Sequence, residues 1–193
     1  MGGSTMAHMA KQFSAPSQMK DSWFVPARGG LGESVDYQAN TIASELAKRA
    51  GARYRMLHVP DHLSEEAYQT IMQEPNVREV VDMIRGARIV VHGIGDAVTM
   101  ARRRKLKDET RDELVKDGAL AEAFGYYFDR HGKVVHRMAT AGLRLEDIEA
   151  AEVVIGIAGG KSKGEAIASV MRFGHDDVLV TDEAAAREAL QHI

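Results

Sequence analysis

The chain has 193 residues, 45% of them hydrophobic and 27% charged, enough to bury one sizeable core beneath a charged surface. Its net charge of −3 makes the chain as a whole a poor electrostatic partner for DNA, and the absence of cysteine excludes disulfides, thiolate catalysis and cysteine-based zinc sites. No apolar run is long enough to span a membrane and no secretory signal opens the sequence, so the expectation is a cytoplasmic protein with residues 1–193 as one domain.

Gly2-Gly3-Ser4-Thr5, followed by Met6, Met9, Ala10 and Phe13, reads either as a disordered tag or as a glycine turn entering an amphipathic helix with no strand before it. A polar loop with Pro16 follows, then a short strand at Trp23 to Ala27 and the glycine-rich turn Arg28-Gly29-Gly30-Leu31-Gly32. A helix is predicted from about Val35 to Arg49, with Ile42, Leu46 and Ala50 on one face and Gly51 closing it. Arg53 to Val59 reads as a strand. Ser64 caps the next helix, Glu74-Pro75 breaks it, and Val77 to Arg85 forms another. Ala87 to His92 is a strand entering the turn Gly93-Ile94-Gly95, and the charged stretch Asp96 to Lys116 is helical in composition. Phe124 to Phe128 and Val134 to Arg137 read as a hairpin about His131-Gly132. Leu145 to Ala150 is a brief helix. Val153 to Ala158 then runs as a buried strand into Gly159-Gly160-Lys161-Ser162-Lys163 and a further helix. A strand at Val178 to Val180 and a helix ending at Leu190 complete the chain.

Strands alternating with helices predict an α/β fold with a mostly parallel, Rossmann-like sheet flanked by helices and a small β-hairpin insertion. The four strand–glycine turn–helix units are expected to bring their turns to the carboxyl edge of one sheet, where ligands of open α/β sheets bind. Glycines allow close backbone approach, and the first amides of the following helix attract anions, so a phosphate is the natural occupant. The Walker pattern is absent, and Gly93-Ile94-Gly95 lacks the third glycine of a dinucleotide fingerprint, since that position is Val98. Arg28 is suited to grip a phosphate or to lie on the surface. Gln38 and Asn40 could bond sugar hydroxyls or merely start a helix. The run Arg102-Arg103-Arg104-Lys105 reads as a solvated face from which at least one arginine could reach an anion. Glu122 is suited to accept from a sugar hydroxyl. Lys163 adds a charge to its glycine turn, with no apolar or cationic neighbourhood evident that would lower its pKa. His92 and His58 read as hydrogen-bonded core histidines. No spacing suggests a metal site.

Several segments together carry a specific resemblance. They are Val25-Pro26-Ala27-Arg28-Gly29-Gly30-Leu31-Gly32-Glu33, Gln38-Ala39-Asn40-Thr41-Ile42, Val91-His92-Gly93-Ile94-Gly95, Glu122-Ala123-Phe124-Gly125-Tyr126-Tyr127-Phe128, Ala158-Gly159-Gly160 with Ser162-Lys163, and Leu179-Val180-Thr181-Asp182-Glu183. Over nearly the whole chain this resembles the effector-binding domain of the SorC family of bacterial transcriptional repressors. The resemblance makes Gly2-Gly3-Ser4-Thr5 a phosphate loop. It implies a fold similar to sugar-phosphate isomerases and glucosamine-phosphate deaminases, without catalytic residues, metal or cofactor. It implies fructose 1,6-bisphosphate or another phosphosugar as inducer, with Gly3, Ser4, Thr5, Gly160 and Lys163 holding phosphate, Arg28 and Arg103 contributing charge, and Gln38 and Glu122 contacting the sugar. It further implies a homodimer. The family's winged helix-turn-helix, and the strand and helices preceding the Gly-Gly-Ser-Thr loop, are expected to lie outside this chain, so operator DNA would be reached only through a separate domain. The alternative from another class is a sugar-phosphate isomerase or deaminase of the same fold, for which Glu122 is the one evident carboxylate.

Overall fold

The computed structural model describes residues 2–30, 34–60 and 63–193. In chain order the elements are α1 (Ser4–Gln12), β1 (Trp23–Phe24), a 3-10 turn (Val35–Tyr37), α2 (Ala39–Ala50) and β2 (Arg53–Tyr54). Then come α3 (Glu65–Ile71), α4 (Pro75–Arg85), β3 (Ile89–Gly93), β4 (Gly95–Asp96), α5 (Ala97–Arg103) and α6 (Asp108–Lys116). β5 (Ala121–Ala123), β6 (Tyr126–Phe128), β7 (Val134–Arg137) and α7 (Leu145–Glu149) follow. The chain closes with β8 (Val153–Ile157), a second 3-10 turn (Lys161–Lys163), α8 (Gly164–Phe173), β9 (Val178–Val180) and α9 (Glu183–Leu190). The motif residues Leu31, Gly32 and Glu33 lie outside the described residues.

The chain forms two compact units, Met1–Val90 with Ala139–Glu152, and Val91–Met138 with Val153–Ile193. In the first, α1 buries Met6, Ala7 and Ala10, and packs against α2, which buries Ile42, Ala43, Leu46, Ala47 and Ala50. Both sets recur at helical spacing, so each helix turns one apolar stripe inward. Gly51 ends α2 in the left-handed region, at φ 63°, as its position after the last apolar residue predicts. β1 and β2 pair in parallel, Trp23 opposite Arg53 and Phe24 opposite Tyr54. The strand expected through Val59 stops at Tyr54. The buried Asn40 side chain takes over: its Nδ2 donates to Leu57 O at 3.0 Å and its Oδ1 accepts from Leu57 N at 2.9 Å. Asn40 thus holds a neighbouring segment in the core rather than facing a ligand. His58 is exposed between buried Leu57 and Val59, so it is not a core histidine.

The second unit contains a three-stranded sheet ordered β3-β8-β9, with β8 and β9 parallel. It also contains a four-stranded antiparallel sheet, β4-β5-β6-β7, larger than the expected hairpin. The reason lies in Phe124 and Gly125, read from sequence as part of one strand. Both have positive φ, 59° and 89°, and form the tight turn between β5 and β6, where Ala123 faces Tyr126. A phenylalanine is costly in that conformation. Here the ring is almost fully buried and lies 3.9 Å, centroid to centroid, from His92. His92 is a core histidine as expected, with Nε2 2.8 Å from Asp176 Oδ1. The helical stretch from Asp96 to Lys116 breaks at Lys105, whose φ is 53°, and divides into α5 and α6.

Candidate functional site

In the second unit, β8 delivers the chain to Gly159 and Gly160. Asp182 fixes this turn: its Oδ2 accepts from Gly160 N, while its Oδ1 accepts from Ala185 N and caps α9. These backbone amides hold the Asp182 carboxyl below the usual carboxylate range. Gly160 has φ 92°, a conformation that favours glycine. The turn then presents Lys161 and Lys163 differently. Lys161 is 77% exposed and lies 3.6 Å from Glu188. Lys163 is partly buried, and its pKa is lowered chiefly by desolvation and further by Arg103, against the opposing pull of Asp96 and Glu122. The sequence showed no such neighbourhood around Lys163. It is supplied by α5, β4 and β5, elements distant in the chain.

Glu122 is buried, and its Oε1 accepts from Arg104 Nη2 at 2.9 Å and from Gly125 N at 2.8 Å. The two side chains are 4% and 5% exposed. Of the basic run on α5, Arg104 therefore turns inward to pair with Glu122, Arg103 bears on Lys163, and Arg102 faces solvent. Nothing in a run of four basic residues distinguishes these roles. The break after Arg103 and the positive φ at Lys105 create them. Asp96 completes the group: its Oδ1 accepts from Thr99 N at 2.7 Å, capping α5. Asp96, Arg104 and Asp182 were not among the expected site residues, although the cap pattern at Asp96 and Asp182 was available in the sequence.

In the first unit, Gly3 is the N-cap of α1, with no side-chain cap on the helix. Gly3 N donates to Tyr37 O at 2.9 Å, and Ser4 and Thr5 form the first turn. An uncapped first turn leaves amides directed outward, where the helix dipole favours negative charge. Gln38 stands at the N-cap of α2. Arg28 is buried, at 8% exposure, rather than on the surface. It pairs with Gly142, where an added Cβ would meet Arg28 Cα at 2.7 Å. The expected site residues thus divide between the units: Gly3, Ser4, Thr5, Arg28 and Gln38 in one, Arg103, Glu122, Gly160 and Lys163 in the other. Among the described residues, no group of three or more histidine, aspartate or glutamate side chains is arranged to hold a metal ion.

A family model described as "Putative sugar-binding domain" matches residues 1–191. The chain is 47% identical over 190 residues to the central glycolytic genes regulator of Priestia megaterium, covering 98% of this chain and 56% of that protein. It is 46% identical to the regulator of the same name from Bacillus subtilis, with the same coverage. It therefore spans little more than half the length of these relatives. A solved structure of a "putative SorC family transcriptional regulator" from Enterococcus faecalis matches with a TM-score of 0.91 and 45% identity, covering 98% of this chain and 78% of that one. The full-length sorbitol operon regulator SorC from Klebsiella pneumoniae matches with a TM-score of 0.86 at 20% identity, covering 100% of this chain and 65% of that one, which shows a shared fold.

Proposed function

The chain belongs to the sugar-binding domain family, and on that premise we propose that it is the effector-binding part of a cytoplasmic bacterial repressor of glycolytic genes, with fructose 1,6-bisphosphate or a related phosphosugar as inducer. One observation carries the reading: the partly buried Lys163, set on a glycine turn among Arg103, Asp96 and Glu122. A desolvated ammonium beside a guanidinium favours an incoming anion, and the adjacent carboxylates suit sugar hydroxyls. The uncapped start of α1 at Gly3, Ser4 and Thr5, together with Arg28, is a second set suited to phosphate. Each set is suited to a phosphate group, and Gln38, at the N-cap of α2 in the first unit, is suited to a sugar hydroxyl.

The named relatives are transcriptional regulators, and the engagement of Glu122 Oε1 by Arg104 and Gly125 does not favour a catalytic base there. Operator DNA would be bound through a separate domain, and the working assembly would be a homodimer. The test is thermal unfolding with fructose 1,6-bisphosphate, fructose 6-phosphate and glucose 6-phosphate. A ligand at 100 times its dissociation constant adds about 2.7 kcal/mol of stability. A stabilisation by at least one of them, without product formation, is expected. No shift with any, or turnover of any, would overturn the reading.

A further inference from the structure

Gly156 has no part in the chemistry described above, yet it lies inside β8, where a strand ordinarily carries a side chain. A side chain there would collide with Asp176 Oδ2 and come within 3.4 Å of His92 Nε2. The glycine leaves room for a buried pair. The side chains of His92, on β3, and Asp176, just before β9, are 0% and 1% exposed. Both nitrogens of the His92 ring are engaged, Nε2 with Asp176 Oδ1 at 2.8 Å and Nδ1 with Gly93 O at 3.3 Å, so the plane of the ring is fixed. The Phe124 ring lies against it, tilted by 36°. An apolar pair fills such a space without desolvating charged groups, so packing alone does not account for a buried histidine and aspartate.

What the Phe124 ring carries is a turn. Phe124 at φ 59° and Gly125 at φ 89° join β5 to β6, and in that conformation Gly125 N donates to Glu122 Oε1 at 2.8 Å. The left-handed region is disfavoured for phenylalanine, so a turn without its support relaxes and redirects that amide. Of the two donors to Glu122 Oε1, Arg104 Nη2 then remains. We propose that His92, fixed by Asp176, is a positioning residue for phosphosugar recognition: through Phe124 it sets the Phe124-Gly125 turn and thereby aims the Glu122 carboxylate at a sugar hydroxyl. All of these residues belong to the second unit. The proposal rests on the phosphosugar reading above and adds to it a fully buried residue that acts through Glu122.

Two double variants test it, each without the aspartate, so that no carboxylate is left buried and unpaired. His92→Leu/Asp176→Ala removes the aromatic support, and His92→Phe/Asp176→Ala restores it. Circular dichroism checks that each folds, and Phe124→Leu breaks the same contact from the other side should the leucine double variant not fold. The first readout needs no ligand. Hydrogen exchange of the Gly125 amide, followed by nuclear magnetic resonance, should lose protection in the leucine double variant and keep it in the phenylalanine one. The second readout is isothermal titration with fructose 1,6-bisphosphate. The leucine double variant should bind roughly tenfold or more weakly, the scale of one lost hydrogen bond to a charged group. The phenylalanine double variant should bind as the unaltered chain does. In a Glu122→Gln background the leucine substitutions should add no further loss, whereas a general loosening of the core would add one. Unchanged affinity or unchanged Gly125 protection without the aromatic support, or an added loss in the Glu122→Gln background, would overturn the proposal. An unaltered chain that binds no phosphosugar would instead overturn the reading on which it rests.

Discussion

Lys163 holds an ammonium that burial disfavours and that Arg103 disfavours further. Its folded pKa lies below that of a free lysine, so between the two values the unfolded chain binds more protons. The group therefore costs stability at neutral pH, and the cost is relieved as pH rises through that window. Lys163→Met should leave the melting temperature of the unliganded chain unchanged or raise it, while abolishing the shift caused by phosphosugars. A variant that melts lower yet still responds to ligand would contradict the assignment. Arg104 behaves in the opposite way. It neutralises a carboxylate that is 5% exposed, and removing one partner of a buried pair typically costs about 3–5 kcal/mol. Arg104→Met should show a loss of that order in urea unfolding, and adding Glu122→Gln should recover part of it. The run by itself gives its four basic residues no distinct roles, and the resemblance singled out Arg103 alone; the pairing of Arg104 with Glu122 depends on which residue the break at Lys105 turns inward.

At the scale of the element, Asp182 joins two local structures that the sequence presents as separate: the Gly159–Gly160 turn and the first turn of α9. Asp182→Ala should lower phosphosugar affinity although Asp182 is not among the proposed contacts, because the turn carrying Lys163 loses its anchor. Isothermal titration would show this, with Lys163→Met as the reference for full loss. Because the folded pKa of Asp182 is depressed, its contribution to stability is present above the ordinary aspartate range and is lost as pH falls through the depressed value. Acid unfolding of Asp182→Ala should accordingly be less steep. Asn40 plays the same kind of role for the segment after β2. Asn40→Ala strands both the N–H and the C=O of the buried Leu57, and a destabilisation of roughly 2–4 kcal/mol is expected from two such lost partners. The helix start around Asn40 was legible. Its partner, seventeen residues away, was not.

At the scale of the whole molecule, the proposed site residues fall in two compact units. Within each unit the proposed contacts can be tested separately: Arg28→Met and Lys163→Met should each lower phosphosugar affinity in isothermal titration, and a variant that binds as tightly as the unaltered chain would remove that residue from the proposed site. The α/β class, the helices and most strand positions were legible because apolar periodicity and glycine punctuation are local. The size of the antiparallel sheet was not, because the turn at Phe124-Gly125 places a buried phenylalanine, packed against His92, in a left-handed conformation that its residue type disfavours.

The sequence by itself determined the family, the alternation of strands and helices, the glycine turns and the identity of the anion-binding candidates, since each is written in contiguous residues. The tertiary structure alone decided which charges are buried, paired or exposed. It buried Arg28, turned Arg104 inward onto Glu122, left Lys161 exposed beside Glu188, and partly desolvated Lys163 beside Arg103. Burial and charge proximity are properties of segments far apart in the chain, and they set the electrostatics that a run of residue names cannot show.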